Sequence, residues 1–233
     1  MKNISVTFKT SGISLPLSYQ YGVQSLLYNI LRNDWHDAGM TYGNRTYKLF
    51  TFSSLRGNKT IADGKITFTN EVYLDIRGVR DDFCDALILA LNSGTALTLL
   101  GQPLSVQSAK WNAPIIETNQ LRIKMLSPVT VHRTDGDRTY YYTPLDSDFS
   151  EQINDNFRRK YTAYTYSEPV GDIKIVPLTI GTRDKYVTTF KDTHVTGWRG
   201  EYELHGRPEY LTFLYYCGLG ARNSGGFGMF DRV

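Results

Sequence analysis

The order of strand and helix patterns constrains the fold of this chain more than any other feature of its sequence. Residues 2–9 alternate polar and apolar side chains, which predicts a half-buried strand, and an apolar stripe at helical spacing follows over 22–38. Continued along the chain, such patterns give the order β-α-β-β-α-β twice, with one additional hairpin in the second half. This order is the ferredoxin-like pattern. We therefore expect an α+β protein of two tandem ferredoxin-like (RRM-like) domains, spanning residues 1–116 and 117–233.

Glycine, proline and capping positions set the limits of the other predicted elements. In the first half these are strands at 47–55 and 65–76, a helix at 82–91 and a closing strand or hairpin at 95–111. In the second half they are strands at 121–131 and 172–180, a hairpin at 133–143, a helix at 146–166, a strand pair at 186–204 broken near 194–197, a helix at 208–217 and a strand at 227–231. The two halves show no repeat at the level of sequence, so the prediction depends on the order of elements alone.

Composition excludes some classes of protein and leaves others open. The hydrophobic fraction of 41% over 233 residues is enough for two buried cores, and no run of 18 apolar residues indicates a transmembrane helix. The only cysteines, Cys84 and Cys217, lie in apolar helical contexts, which predicts reduced core residues in a cytoplasmic protein. A net charge of +3 is compatible with a nucleic-acid partner but does not require one. Any RNA-binding prediction must depend on where the basic residues lie.

The segment 218–228 contains five of the chain's 20 glycines in eleven residues. Glycine costs backbone entropy, so this density indicates tight backbone geometry, either as a structural connection from helix to strand or as a loop pressed against phosphates. A dinucleotide-binding turn would need a third glycine where Asn223 stands, and a Walker loop would need a Gly-Lys-Ser/Thr sequence that is absent. We expect phosphate contact from Gly218, Gly220, Arg222, Asn223, Ser224, Gly226 and Gly228, with Arg222 and Asn223 as the first candidates.

His36, near the end of the first predicted helix, has two candidate partners in Tyr28 and Lys48. A lone histidine near a helix end is most often a capping or surface residue. A histidine, a tyrosine and a lysine without paired carboxylates nevertheless suit acid–base cleavage of RNA. Histidine titrates near neutrality, lysine stabilises negative charge, and the tyrosine hydroxyl can position a proton.

Together these features make the chain resemble the CRISPR-associated endoribonucleases that cut repeat RNA into guide RNAs. The resemblance covers most of the chain. It is carried by Leu27-Tyr28-Asn29, by His36, by the segment 47–53, by Leu126-Ser127-Pro128-Val129 and by the pair Gly218-Leu219-Gly220 and Gly226-Phe227-Gly228. The last pair is the most specific of these motifs.

The resemblance implies a metal-independent endoribonuclease without cofactors, whose product carries a 2′,3′-cyclic phosphate. It assigns the catalytic tyrosine, histidine and lysine of the family to Tyr28, His36 and Lys48. The implied partner is CRISPR repeat RNA, and the sequence leaves open whether the product passes to a CRISPR effector complex. Some members of the family bind RNA without cutting it, so a non-catalytic RNA-binding module of the same fold is the alternative. A nucleotide-binding enzyme is a weaker third possibility.

Other basic residues give further candidates for RNA contact. Arg199 lies beside Trp198 in a predicted hairpin, where it could enter a groove or stack on a base. Arg56 and Lys59 follow the strand 47–55 and are expected near Lys48. The run 158–160 on the helix of the second domain is expected to form a solvated face. No two histidines show the spacing of a metal site.

Overall fold

Two antiparallel sheets organise the chain, one in each half. In the computed structural model, residues 1–31 and 39–233 are described. The first half contains β1 (Lys2–Lys9), β2 (Ile13–Pro16), α1 (Gln20–Ile30), β3 (Met40–Tyr42), β4 (Arg45–Tyr47), β5 (Phe50–Phe52), β6 (Lys59–Ala62), β7 (Lys65–Phe68), β8 (Glu71–Gly78), α2 (Asp81–Leu91), β9 (Leu97–Leu99) and β10 (Gln102–Asn112).

The second half contains β11 (Gln120–Met125), β12 (His132–Asp135), β13 (Arg138–Tyr141), α3 (Phe149–Thr165), β14 (Lys174–Thr179), β15 (Lys185–Phe190), β16 (Thr193–Trp198), β17 (Glu201–His205), α4 (Pro208–Cys217) and β18 (Phe230–Arg232). The segment 113–119 connects the two halves, and the predicted boundary after residue 116 falls within it. Within residues 1–31 and 39–233, no helix combines the length and apolar character needed to cross a membrane.

The strand order in each sheet is that of a ferredoxin-like fold. The first sheet runs β5-β8-β1-β10 with β9 added at its edge, and the second runs β14-β17-β11-β18. In both, the first strand of the unit lies between the third and the fourth, and all pairings are antiparallel. The predicted α+β class and tandem ferredoxin-like architecture are confirmed. The predicted hairpin at 133–143 is present as β12–β13.

The prediction of one continuous strand at 47–55 was wrong. β4 ends at Tyr47 and β5 begins at Phe50, because Leu49 has a left-handed backbone (φ 52°) that breaks the strand. The bend turns the side chain of Leu49 into the core of the second domain, whereas Phe50 and Phe52 enter the core of the first. Apolar burial at Leu49 therefore overrides strand continuity, and Lys48 lies at the bend.

Several other element limits also differ from the prediction. The strand predicted at 121–131 ends at Met125, ahead of Pro128, which cannot donate to a sheet. The pair predicted at 186–204 is three strands, because the chain turns at Lys191–Asp192 and again at Arg199–Gly200. The predicted break near 194–197 lies inside β16 instead.

Buried polar contacts join the two domains. Arg77 of β8 is 1% exposed, and its guanidinium lies 3.5 Å from the ring centroid of Tyr215 and donates to the carbonyl of Phe230. Thr51 of β5 donates its hydroxyl to the carbonyl of Phe227 over 2.9 Å. The end of the glycine-rich segment is thereby fixed against the first domain.

Candidate RNA interface and active site

The glycine-rich segment, residues 218–228, is a tightly packed connection between α4 and β18. At Gly228 (φ 78°), a Cβ atom would overlap the carbonyl oxygen of Leu219, and at Gly226 it would overlap the ring of Phe52. The amide of Leu219 donates to the carbonyl of Gly228 over 2.9 Å, so the two glycine pairs touch each other. These positions require glycine because backbone and aromatic ring approach too closely for any side chain.

Most amides of this segment already have acceptors within the protein. Gly218 donates to Leu214, Gly226 to Asn223 and Gly228 to Pro128, each over 2.8 to 2.9 Å. These three glycines are buried, and a cradle for phosphate made from their amides is therefore not what the structure forms. Gly220 is also buried but lines the cleft described below. Arg222 and Ser224 remain half-exposed, and they keep the role of candidate RNA contacts.

Asn223 holds the segment together from within. Its side-chain amide donates to the carbonyls of Leu219 (2.8 Å) and Phe227 (3.0 Å), and its Oδ1 accepts from the ammonium of Lys160 over 3.0 Å. Asn223 is 9% exposed. The prediction that Asn223 is a first candidate for phosphate contact conflicts with this geometry. Its side-chain amide already donates to two carbonyls of the segment.

Lys160 of α3 is a buried cation that donates hydrogen bonds to the glycine-rich segment. Lys160 is 3% exposed, and its ammonium also donates to the carbonyls of Gly218 (2.6 Å) and Gly220 (3.2 Å). The expectation that run 158–160 forms a solvated face is wrong for this residue. Burial lowers the pKa of Lys160, because the charged form loses its hydration. Three oxygens match the three donors of the ammonium group.

A basic cleft lies beside the glycine-rich segment, where β4, β12 and α3 meet it. It consists of two cavities, of about 200 and 340 Å³, which share Arg45, Asn156, Gly220 and Ala221. Among the described residues that line either cavity, none is Asp or Glu. The cationic residues of this lining are Arg45, Lys48, Arg133, Arg159, Lys160 and Arg222. Such a concentration of one charge sign attracts anions.

Several buried polar atoms in this cleft have no hydrogen-bond partner within the described part of the chain. These atoms are Tyr47 Oη, His132 Nδ1, Asn156 Oδ1, Arg159 Nε and Arg222 Nε. Buried polar groups in proteins are nearly always paired, so unpaired groups gathered in one cleft indicate where a polar ligand binds. The cleft is therefore well suited to bind a polyanion.

His132 faces the first of the two cavities. Burial lowers its pKa, and the charges of Arg222 and Arg45 lower that pKa further. The imidazole is consequently more often neutral in the folded protein than in the unfolded chain. Its ring lies 5.5 Å from that of Tyr141.

The three residues proposed for catalysis have different positions in the structure. Lys48 is half-buried and lines the second cavity of the cleft. Tyr28 of α1 is 8% exposed and packs edge-on against Phe50, with 6.2 Å between ring centroids, in the core of the first domain. His36 lies outside the described residues. The catalytic assignment of all three stays a prediction.

The other predicted RNA contacts do not gather around Lys48. Arg199 donates to the hydroxyl of Ser54 over 3.3 Å, and its guanidinium lies 5.1 Å from the ring centroid of Tyr186. Arg56 forms an ion pair with Asp75 and lines a separate shallow depression on the sheet of the first domain. Lys59 is exposed on β6. Neither Arg56 nor Lys59 is among the described residues that line the cleft with Lys48.

Comparison with known protein families identifies the family of this chain. Residues 111–232, more than half of the chain, match the family described as CRISPR associated protein Cas6, C-terminal. Residues 14–110 match CRISPR-associated protein Cas6, N-terminal. The chain belongs to the Cas6 family. The predicted resemblance is thereby confirmed.

Individual Cas6 relatives cover nearly the whole chain. The CRISPR-associated endoribonuclease Cas6 1 of Methanocaldococcus jannaschii is 28% identical over 230 residues, which covers 94% of this chain and 87% of the relative. A solved Cas6-related protein from Pyrococcus furiosus superposes with a TM-score of 0.85 at 17% identity, covering 99% of this chain and 98% of that chain. A RAMP protein binding different RNA substrates superposes with a TM-score of 0.84 at 20% identity over all of both chains. The two structural likenesses support the fold.

Several residues of the Cas6 cleft escaped the sequence analysis, among them Lys160 and His132, and Lys160 left a signal there. The apolar stripe of α3 runs through Phe149, Ile153 and Phe157 at spacings of four, and Lys160 follows three residues later on the same face. A lysine in an apolar stripe indicates a buried cation. His132 leaves no such signal, because only the fold brings β12 beside β4 and α3.

Proposed function

We propose that this Cas6 protein is an endoribonuclease that cleaves CRISPR repeat RNA within precursor transcripts to give guide RNAs. The observation that carries the proposal is the basic cleft beside Lys48, on a chain whose two halves both match Cas6. Relatives at 28% and 22% identity are named CRISPR-associated endoribonucleases, which supports the same activity here. RNA, a polyanion, is the partner that such a cleft favours.

The proposed chemistry is a transesterification within the RNA. The ribose 2′-hydroxyl loses its proton and attacks the adjacent phosphorus, and the bond from phosphorus to the 5′-oxygen breaks. The products are a 2′,3′-cyclic phosphate and a 5′-hydroxyl that has taken up a proton. No metal ion is required. His36 would serve as general acid or base, Lys48 would stabilise the charge that builds up on the phosphate, and Tyr28 would position a proton.

RNA contact is proposed for the cleft side of the glycine-rich segment. Arg222 and Ser224 are half-exposed there, and Gly220 lines the cleft between them and β12. Gly218, Asn223, Gly226 and Gly228 would act by holding this surface in shape. Arg199, Arg56 and Lys59 would contact RNA elsewhere on its path. Transfer of the product to a CRISPR effector complex would be a later step.

The test is cleavage of candidate repeat RNA in the presence of EDTA, with the product ends mapped. We expect His36→Ala to slow cleavage by a factor of about 10² to 10⁴, the usual contribution of general acid–base catalysis. His194→Ala, at an exposed position on β16, is the matched control. Full activity of His36→Ala would remove the catalytic assignment. Loss of wild-type activity in EDTA would contradict the metal-independent mechanism, and cleavage of RNA with a 2′-deoxy cut site would contradict attack by the 2′-hydroxyl.

The position of Tyr28 is also compatible with a second candidate, a non-catalytic RNA-binding protein of the same family. Tyr28 is buried against Phe50 in the core of the first domain, a position that serves packing whether or not the protein cuts RNA. Tight, salt-sensitive binding of repeat RNA with no cleavage would establish this candidate. A cyclic phosphate on the product would exclude it.

A further inference from the structure

Four residues of the cleft have no part in the proposed cleavage chemistry and come from three different elements. Arg45 lies on β4, His132 on β12, and Asn156 and Arg159 on α3. All four line the first cavity, and two of them, Arg45 and Asn156, also line the second cavity together with Lys48. This part of the cleft adjoins the cavity that Lys48 lines.

The atoms left unpaired here define the chemistry of a ligand. Arg159 Nε and Arg222 Nε carry hydrogens without acceptors, and His132 Nδ1 is a third buried group without a partner. Asn156 Oδ1 is an acceptor without a donor. A ligand that fits all four must present anionic oxygens on one side and a hydrogen-bond donor on the other. A nucleotide within an RNA strand does so, with its phosphate and with a ribose hydroxyl or a base N–H.

We infer that the cleft binds one nucleotide of the RNA next to the cut site, with the phosphate on Arg159, Arg222 and His132 and a ribose or base donor on Asn156. This inference rests on the proposed function, since it assumes that RNA occupies the cleft. Arg45 adds charge from the first domain, so the nucleotide would bridge both domains.

Binding at this position makes RNA affinity depend on pH. The charged groups around His132 are Arg45 on β4, Arg133 beside it on β12, Arg159 on α3 and Arg222 in the glycine-rich segment, and no carboxylate lines the cavity within the described residues. Burial, and then the charges of Arg222 and Arg45, lower the pKa of His132 and so disfavour its protonation in the free protein. A bound phosphate reverses that effect, so binding takes up a proton and affinity increases as pH falls.

The experiment measures binding of a fluorescent candidate repeat RNA that carries a 2′-deoxy substitution at the mapped cut site. We expect Arg159→Gln to raise the Kd about tenfold, and to lower the slope of log K against log salt by about one, as for the loss of one phosphate contact. Asn156→Asp keeps an acceptor for the ribose or base donor but adds a negative charge to the cavity that holds the phosphate, and should raise the Kd by a similar factor. Arg183→Gln, at an exposed turn, is the control and should leave the Kd unchanged.

His132 is tested by the pH profile of the same Kd between pH 5.5 and 8. We expect His132→Gln to match the wild type at pH 8 and to lose part of the affinity gained by the wild type at low pH. His194→Gln should retain the wild-type profile. Thermal unfolding checks that each variant folds, and Arg159→Lys provides a second variant that keeps the charge but loses the Nε–H donor.

The outcomes separate this inference from the proposed function. If the wild type binds and cuts repeat RNA while Arg159→Gln and Asn156→Asp bind like the control, the nucleotide site is refuted and the nuclease stands. A pH profile of His132→Gln identical to that of the wild type removes His132 from the site. If the wild type does not bind repeat RNA, both proposals fall.

Discussion

At the scale of single residues, Lys160 is the most consequential side chain outside the proposed chemistry. A buried ammonium is costly unless oxygens replace its hydration, and here two carbonyls and the Asn223 amide oxygen do so. Lys160 therefore belongs to the fold of the glycine-rich segment and only indirectly to RNA binding.

The substitution Lys160→Met keeps the length of the side chain and removes its hydrogen-bond donors. Three buried oxygens would lose their partner, and we expect the free energy of unfolding to fall by about 3 kcal/mol in urea denaturation. Lys174→Met, at an exposed position on β14, should change it by less than about 0.5 kcal/mol. Equal stability of the two variants would show that the ammonium contributes nothing to the loop.

His132 makes the stability of the RNA-free protein depend on pH. Its pKa is lowered in the folded state, so as pH falls below the unfolded value of about 6.5 the unfolded chain takes up a proton that the folded protein does not. Stability is therefore lost on acidification. We expect His132→Gln to reduce this loss between pH 7.5 and 5, measured by urea denaturation. His194→Gln should behave like the wild type, and a wild-type acid response in His132→Gln would contradict the lowered pKa.

At the scale of elements, the glycine-rich segment combines two constraints that glycine alone satisfies. Its backbone enters the left-handed region, and it also passes so close to other atoms that a methyl group has no room. The chain contains a matched position that shows only the first constraint. Gly101 has φ 79°, nearly the value at Gly228, but a Cβ there would meet nothing within 4 Å.

Substitutions at Gly101 and Gly228 separate the cost of the left-handed backbone from the cost of the steric overlap. Gly101→Ala should cost about 1–2 kcal/mol, the strain of a left-handed residue with a side chain. Gly228→Ala adds the overlap with the carbonyl of Leu219, so we expect at least twice that loss, with weaker binding of repeat RNA in addition. Chemical denaturation gives the first quantity and a binding titration the second. Similar stability losses at the two sites would mean that the segment relaxes freely.

At the scale of the whole molecule, the domains are coupled by buried polar groups as well as by apolar contact. Arg77 extends from β8 of the first domain to Tyr215 and Phe230 of the second, and its Nε donates to Asn3 over 2.9 Å. Leu49 adds an apolar contact with the second core. The cleft has walls from both domains, so its geometry depends on this coupling.

We expect Arg77→Met to separate the unfolding of the two domains. The carbonyl of Phe230 would lose a buried donor, at a cost of about 1–3 kcal/mol, and the loss of the link across the interface should broaden or split the calorimetric transition. Arg122→Met, which removes a surface ion pair with Glu201 within the second domain, should leave a single transition. A single sharp transition in Arg77→Met would show that apolar contacts suffice to couple the domains.

The sequence by itself determined the core order β-α-β-β-α-β of each half, and with it the tandem ferredoxin-like architecture, because apolar periodicity and turn residues act locally. It also marked the glycine-rich segment as tightly packed backbone and carried the Cas6 resemblance. The cleft could not be predicted in this way. It is made by His132, Arg45 and Asn156, which lie far apart in the chain and meet only when β12, β4 and α3 pack together. The break at Leu49 and the burial of Lys160 were likewise decided by tertiary structure, because in both cases packing against a distant segment outweighs the local pattern.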